Sequence, residues 1–153
     1  DISFWESIET FNGPIWASHS NCRSLVPNKR QLSDDQIKVL ISKGAIIGMA
    51  LDAWMMVPKW KRGITDPIKK KLFLEKIIDH IDHICQLSGN SNHVGIGSDL
   101  DGGFGKEQCP QDINSIADLQ KINKLLKKRG YENEDINKIL SQNFINFLFN
   151  VLK

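Results

Sequence analysis

Three short apolar runs, Pro14–Ser18 (PIWAS), Ala45–Leu51 (AIIGMAL) and His93–Ser98 (HVGIGS), are separated by amphipathic stretches, and the polar residues His19, Asp52 and Asp99 follow them directly. Runs this short and this continuously apolar read as buried strands of a parallel sheet, because strands with one wet face would alternate. Strand, loop and helix repeated three times is the pattern of an α/β fold. In such folds chemistry gathers just beyond the C-terminal ends of the strands, which is where His19, Asp52 and Asp99 fall.

The segments between the strands carry their own punctuation. Ser3–Phe11 reads as a short helix closed by Asn12-Gly13, and Ser33–Lys43 as a helix with Ser33 and Asp34 as N-cap candidates and Gly44 as its stop. A loop rich in Trp, Met and Pro runs from Ala53 to about Asp66. Pro67 suits the first turn of a long helix reaching Leu87, with Phe73, Ile77, Ile81 and Ile84 on one stripe. Gly89-Asn90 ends it, and Gln111–Lys153 reads as about three helices broken near Gly130 and Ser141. No repeat or linker divides the chain, so residues 1–153 read as one unit. Three parallel strands leave unpaired edges, so a homo-oligomer or a companion segment is expected.

Composition removes several classes of function. Twenty Lys+Arg stand against 18 Asp+Glu, too balanced for a chain whose main partner is a nucleic-acid backbone. The longest apolar stretches, such as Gly44–Val57, fall short of the roughly 18 to 20 residues of a transmembrane helix. Cys22, Cys85 and Cys109 form neither a CxxC pair nor a disulfide scaffold, which fits a reducing compartment such as the cytoplasm. The opening DISFWESIETFNG lacks the marks of a signal peptide and an initiator Met, so a processed or excised piece of a longer chain is expected.

Several residues could carry chemistry. An imidazole at His19 can ligate a metal, shuttle a proton or serve as a hydrogen-bonded structural group. Arg30 lies in the same loop, where a guanidinium can hold a carboxylate in two-pronged fashion or remain solvated. GIGSDLDGGFG packs two acids and five glycines into one turn-rich segment. Asp99 suits a general base or a metal ligand, and Asp101 a turn cap, with an Asx-turn made by both carboxylates as the plain alternative. Trp54, Met55, Met56 and Trp60 either wall a substrate pocket at the end of the second strand or bury the loop. His80 and His83 of HIDH border the helix core and surface rather than a metal, and His93 reads as structural. Cys22 lies near His19 in sequence, but nothing marks it as activated.

PIWASHSNCRSL, RQLSDDQIKVLISKGAIIGMALDAWM and HIDHICQLSGNSNHVGIGSDLDGGFG together resemble the C-terminal part of the membrane (renal-type) dipeptidase family of zinc peptidases, bacterial members especially. The resemblance runs over essentially the whole chain, and SHSN followed by an arginine and then GSDxDG is a specific combination. It implies a (β/α)8 TIM-type barrel with two Zn²⁺ ions that hydrolyses dipeptides through attack by metal-bound hydroxide. His19 is then a zinc ligand, Arg30 the grip on the substrate carboxylate, Asp99 the proton-handling acid, and Asp52 and Trp54 substrate-binding residues. Where the family often has Arg-Asn this chain has Arg30-Gln31, and Leu100 stands where Phe is frequent; both changes read as peripheral. The family's remaining ligands, an early His-x-Asp pair, a bridging glutamate and a histidine just ahead of Asp1, belong to its N-terminal half. The resemblance therefore implies that this chain is a C-terminal half-barrel, inactive alone, from a zinc dipeptidase. A non-catalytic half-barrel that folds only by association, and another metal-dependent hydrolase on the same barrel, are the competing readings.

Overall fold

A computed structural model describes residues 1–152. Its centre is a three-stranded parallel sheet in the order β1 (Trp16–Ala17), β2 (Ile46–Ala50), β3 (Val94–Ser98). Only β2 has a neighbour on each side, and only β2 is buried along its whole length. The first apolar run was expected to form a buried strand over Pro14–Ser18. It pairs over two residues at an edge, with Trp16 46% exposed. That ring leans instead on Phe144 and Phe147, with centroids 5.0 and 6.1 Å away.

The strands' two-residue period divides the sheet. Ile47, Met49 and Val94 join one core with Ile37 and Leu40 of α2 (Asp34–Ser42) and Ile77, Ile78, Ile81 and Ile84 of α4 (Glu75–Ser88). Gly48, paired in register with Gly95, takes the alternate phase of β2. There a side chain on Gly95 would strike the Phe144 ring, and one on Gly48 or Gly97 would strike the Ser18 carbonyl oxygen. The register slips between Met49 and Ala50, so Ala50 pairs with Ser98 at the end that leads into Asp52 and Asp99.

The helices depart from expectation in instructive places. α1 (Ile2–Thr10) forms as anticipated, and α2 starts at Ser33 with a capping box, Gln36 N–H donating to Ser33 Oγ while Gln36 Oε1 accepts from Ser33 N–H. Ala53–Met56, expected in a loop, makes a helical turn, α3. The long helix begins at Glu75 rather than Pro67. Asp66 accepts from the N–H groups of Ile68 and Lys69 at 2.8 and 3.1 Å, a single turn closes from Leu72 N–H to the Pro67 carbonyl, and Lys71 takes a left-handed φ of 51°. This detour drives Leu72 and Leu74 fully into the core and leaves Phe73, expected on the buried stripe, 40% exposed.

Beyond β3, α5 (Lys121–Arg129) ends at Gly130 with φ 101°, as its sequence suggests. No break occurs at Ser141: a π-turn over Lys138–Gln142 carries α6 (Asn133–Asn137) directly into α7 (Asn143–Val151). Lys153, the last residue of that expected helix, lies outside the described residues. Ile145, Leu148 and Phe149 of α7 remain exposed. No described helix is long and apolar enough to cross a membrane.

Candidate functional site

His19, Asp52 and Asp99 follow β1, β2 and β3 at the same end of the sheet. Adjacent strands are about 4.8 Å apart, so the three strand ends span roughly 10 Å.

His19 is placed by main chain. The Ser18 carbonyl lies over Gly48 and Gly97, where only glycine leaves room, and Ser20 N–H donates to the Gly48 carbonyl at 2.8 Å. Arg30 then meets the imidazole: its Nη2 is 3.0 Å from His19 Nε2 and its Nη1 donates to Ser20 Oγ at 3.3 Å. A guanidinium only donates, so His19 Nε2 carries the lone pair and the proton sits on Nδ1, 2.8 Å from Ser18 Oγ. Among the described residues Arg30 pairs with no acidic side chain.

Asp52 is 4% exposed. Its Oδ2 accepts from Trp54 Nε1 at 2.7 Å and from Arg62 Nη2 at 3.1 Å. Its Oδ1 is the one buried side-chain polar atom among the described residues without a hydrogen-bond partner, a condition that costs about 1–3 kcal/mol. Burial raises the Asp52 carboxyl above the usual carboxylate range, Trp54 and Arg62 oppose that, and the charge of Asp99 adds to the rise. Trp54 is thus an orienting partner of Asp52.

Asp99 and its predecessor hold two consecutive left-handed backbones, φ 43° at Ser98 and 61° at Asp99. Such strain in non-glycine residues costs on the order of 1 kcal/mol each and tends to mark functional positions. The turn is closed by Gly102 N–H donating to the Asp99 main-chain carbonyl at 3.0 Å. The cap expected from Asp101 is therefore supplied by Asp99's own backbone, and Asp101 is exposed.

The other histidines have structural partners. His80 is buried, with Nδ1 accepting from Cys22 N–H at 3.1 Å, and burial lowers its pKa to about 4. His83 Nε2 lies 2.8 Å from Asp34 and 3.0 Å from Ser24 Oγ, and His93 Nδ1 is 3.1 Å from the Ala45 carbonyl. Burial pushes all three thiols up, Cys85 to about 11, so none is activated. Among the described residues no group of three or more His, Cys, Asp or Glu could hold a metal ion. His19 alone does not make a zinc centre, which needs three or more protein ligands.

Sequence reasoning missed the braces behind these groups. Asn21 donates to the carbonyls of Ala50 and Met55 at 3.0 and 3.1 Å and accepts from Ala50 N–H at 2.8 Å, tying the loop after β1 to the end of β2. Gln31, expected to be peripheral, is 1% exposed; it donates to the Met55 carbonyl at 2.8 Å and accepts from Asn21 N–H at 3.1 Å. Arg62 was not anticipated either, since nothing in its surrounding loop marks it as the counter-charge of Asp52.

A histidine, an arginine with no acidic partner among the described residues and two acids thus gather at the strand-end face, where barrel folds carry their chemistry. The family model described as membrane dipeptidase (peptidase family M19) matches residues 1–151, and the chain belongs to that family. It is 28% identical over 149 residues to an uncharacterized protein of the pqqA 5' region in Klebsiella pneumoniae, covering 97% of this chain and 51% of that protein. It is 26% identical over 146 residues to dipeptidase tcpJ of Claviceps purpurea, covering 94% of this chain and 31% of the relative. The chain thus spans about half, or less, of the length of these relatives. Two solved structures share the fold. One is the dipeptidase AC of family M19, with TM-score 0.81, 24% identity and coverage of 97% of this chain and 40% of that one. The other is a Rhodobacter sphaeroides metallo peptidase liganded with a phosphinate mimic of L-Ala-D-Ala, with TM-score 0.78, 23% identity and coverage of 97% and 39%. The chain is an α/β portion of the TIM-type barrel that these solved structures share.

Proposed function

We propose that this chain is the C-terminal half-barrel of a zinc-dependent dipeptidase, to which it contributes His19 as a metal ligand, Arg30 as the substrate-carboxylate clamp and Asp99 as the proton-handling acid. The observation that carries this reading is Arg30, held against His19 and Ser20 at the strand-end face with no acidic partner of its own among the described residues. A guanidinium so placed offers parallel N–H donors to the carboxylate of a dipeptide. Asp99, on a strained turn two strands along, can take a proton and return it to the leaving amine. Asp52 and Trp54 line the substrate's path between them. Zinc, when bound, supplies an acidified water and a Lewis acid for the peptide carbonyl.

The described residues do not complete a metal site, so the remaining ligands belong to the part of its relatives' length that this chain does not span, and the chain alone does not hydrolyse dipeptides. The edges of β1 and β3 and the bare face of α7 call for a companion, either that remaining half-barrel or a second copy. The same lack of a three-donor cluster also favours the competing reading, a non-catalytic half-barrel acting only by association.

The test is Arg30→Met in a full-length parent. Losing two charge-assisted hydrogen bonds removes roughly 3 kcal/mol of binding, raising KM for a dipeptide about a hundredfold while sparing a substrate whose C-terminus is an amide. Equal losses on both substrates would remove the clamp and, with it, the dipeptidase reading of this loop.

A further inference from the structure

We propose that the cavity beside His80 binds an organic anion, a carboxylate on a short apolar body that carries no ammonium group. This anion site lies beyond the dipeptidase reading and stands or falls without it. The cavity has a volume of about 400 Å³ and is walled by the loop after β1, the loop after β2 and α4. His80 supplies the donor that calls for a ligand. It is 1% exposed, and its Nδ1 accepts from Cys22 N–H at 3.1 Å, which puts the imidazole proton on Nε2. Nε2–H donates to no group among the described residues, whereas Asp52 Oδ1 is the one polar side-chain atom there that is sealed from solvent without a partner. Nε2 is therefore not sealed, and the cavity that His80 lines is the space that reaches it.

The charges around the cavity select the ligand's sign. Lys70 and Lys76 line it and form no ion pair among the described residues. Asp79, the one acid in the lining, is engaged by Arg129 Nη2 at 2.6 Å. Lys76 lies in the first turn of α4, where the helix dipole opposes a cation, so an anion beside it relieves lysine and helix together. Burial, followed by the charges of His83 and Lys76, lowers the His80 pKa to about 4 against the pull of Asp79, and the ring serves as a neutral N–H donor. One carboxylate can then take the Nε2–H and a charge-assisted bond from a lysine. Leu25, Val26, Met56 and Val57 give the rest of the lining an apolar character, which suits a hydrocarbon body, and the volume admits a ring with a short chain. A free amino acid or dipeptide fits poorly, because its ammonium meets two lysines and finds no uncommitted carboxylate.

The test is a calorimetric titration of the 153-residue chain with phenylpropionate, phenylpropanol, phenylalanine and inorganic phosphate. Phenylpropionate binds, and each of the others binds at least about tenfold more weakly, since the alcohol lacks the charge, phenylalanine adds an ammonium and phosphate lacks the apolar body. The double variant Lys70→Met/Lys76→Met, at two exposed positions, weakens phenylpropionate at least about tenfold, whereas Arg30→Met leaves its affinity unchanged. No binding of phenylpropionate overturns the proposal, as does equal affinity for any of the other three probes or binding that survives the double lysine variant. Loss of binding in Arg30→Met would move the carboxylate to the strand-end face and overturn it as well.

Discussion

Gly48→Ala tests how His19 is placed. Gly48 lies mid-strand with an ordinary backbone, so the new methyl brings no dihedral strain and the cost is steric. The methyl would collide with the Ser18 carbonyl oxygen and sit 3.0 Å from both the Ser18 carbonyl carbon and Gly97 Cα. The obstacles are backbone and the Ser18 oxygen is much the nearest of them, so the Ser18–His19 peptide must lift by about 1 Å to reach ordinary contact. Overpacking of this kind costs about 1–3 kcal/mol, less the roughly 0.5–1 kcal/mol that alanine gains over glycine in a strand. A net loss near 1–2 kcal/mol lowers Tm by about 3–6 °C for a chain of this length. The assay is thermal unfolding by circular dichroism together with the His19 imidazole resonances, which shift as the Arg30 contact is disturbed. Gly44→Ala is the control: with φ +70° and nothing within 4 Å of the added carbon, it pays backbone strain alone and leaves His19 untouched. Gly97 faces the same carbonyl oxygen, so the double variant Gly48→Ala/Gly97→Ala loses less than the sum of the single losses, because one displaced peptide relieves both clashes. An unchanged Tm and unchanged His19 resonances in Gly48→Ala would refute the close approach of Ser18 to the sheet.

Asp99→Asn in a full-length parent lowers kcat at least about a hundredfold with metal content retained; unchanged turnover removes Asp99 from proton transfer. The dialysed 153-residue chain holds well under one zinc per chain by elemental analysis and does not turn over Gly-Leu, whereas stoichiometric zinc with turnover would show that residues read here as structural supply ligands. His80 makes stability depend on acid. Its folded pKa of about 4 lies below the ordinary value of 6.5, so between those values the unfolded chain binds the extra proton and stability falls as pH falls. The full effect is about 3 kcal/mol, and about 2 kcal/mol is lost between pH 7 and 5. Urea midpoints at the two pH values measure it, and His80→Gln, which lacks the titrating group, loses correspondingly less over the same interval.

The sheet was legible because three continuously apolar runs can be buried on both faces only in a parallel arrangement, and the polar residues after them mark one end. Less legible was anything decided by contacts distant in sequence. The helix expected from Pro67 yields to the Asp66 turn because Leu72 and Leu74 gain full burial and the Leu74 N–H finds Asp112, 38 residues away. Gln31 looks like a surface loop residue until Asn21 and Met55 are brought beside it. Arg62 lies ten residues from Asp52 in a loop that already holds Lys59 and Lys61, so sequence alone could not say which cation would reach Asp52. The left-handed pair Ser98–Asp99 was hidden for the opposite reason: the neighbouring glycines suggested that they would absorb the turn.

The residues that build the site are largely different from those proposed to act in it. Gly48 and Gly97 admit the Ser18 peptide, Ser20 N–H anchors it on the Gly48 carbonyl, and Asn21 and Gln31 lock the loop to the end of β2. On that frame His19 and Arg30 are joined by the Nε2 to Nη2 hydrogen bond. The bond fixes the imidazole with its proton on Nδ1 and its Nε2 lone pair turned to Arg30. It also makes the two groups compete: whatever takes the Nε2 lone pair releases Nη2, and the freed guanidinium becomes available for a carboxylate. Arg30 would then keep only its longer contact to Ser20 Oγ at 3.3 Å, so little opposes its turning toward a ligand. In the roles proposed for them, occupation of His19 and capture of a carboxylate by Arg30 would therefore be coupled in the favourable direction through one hydrogen bond.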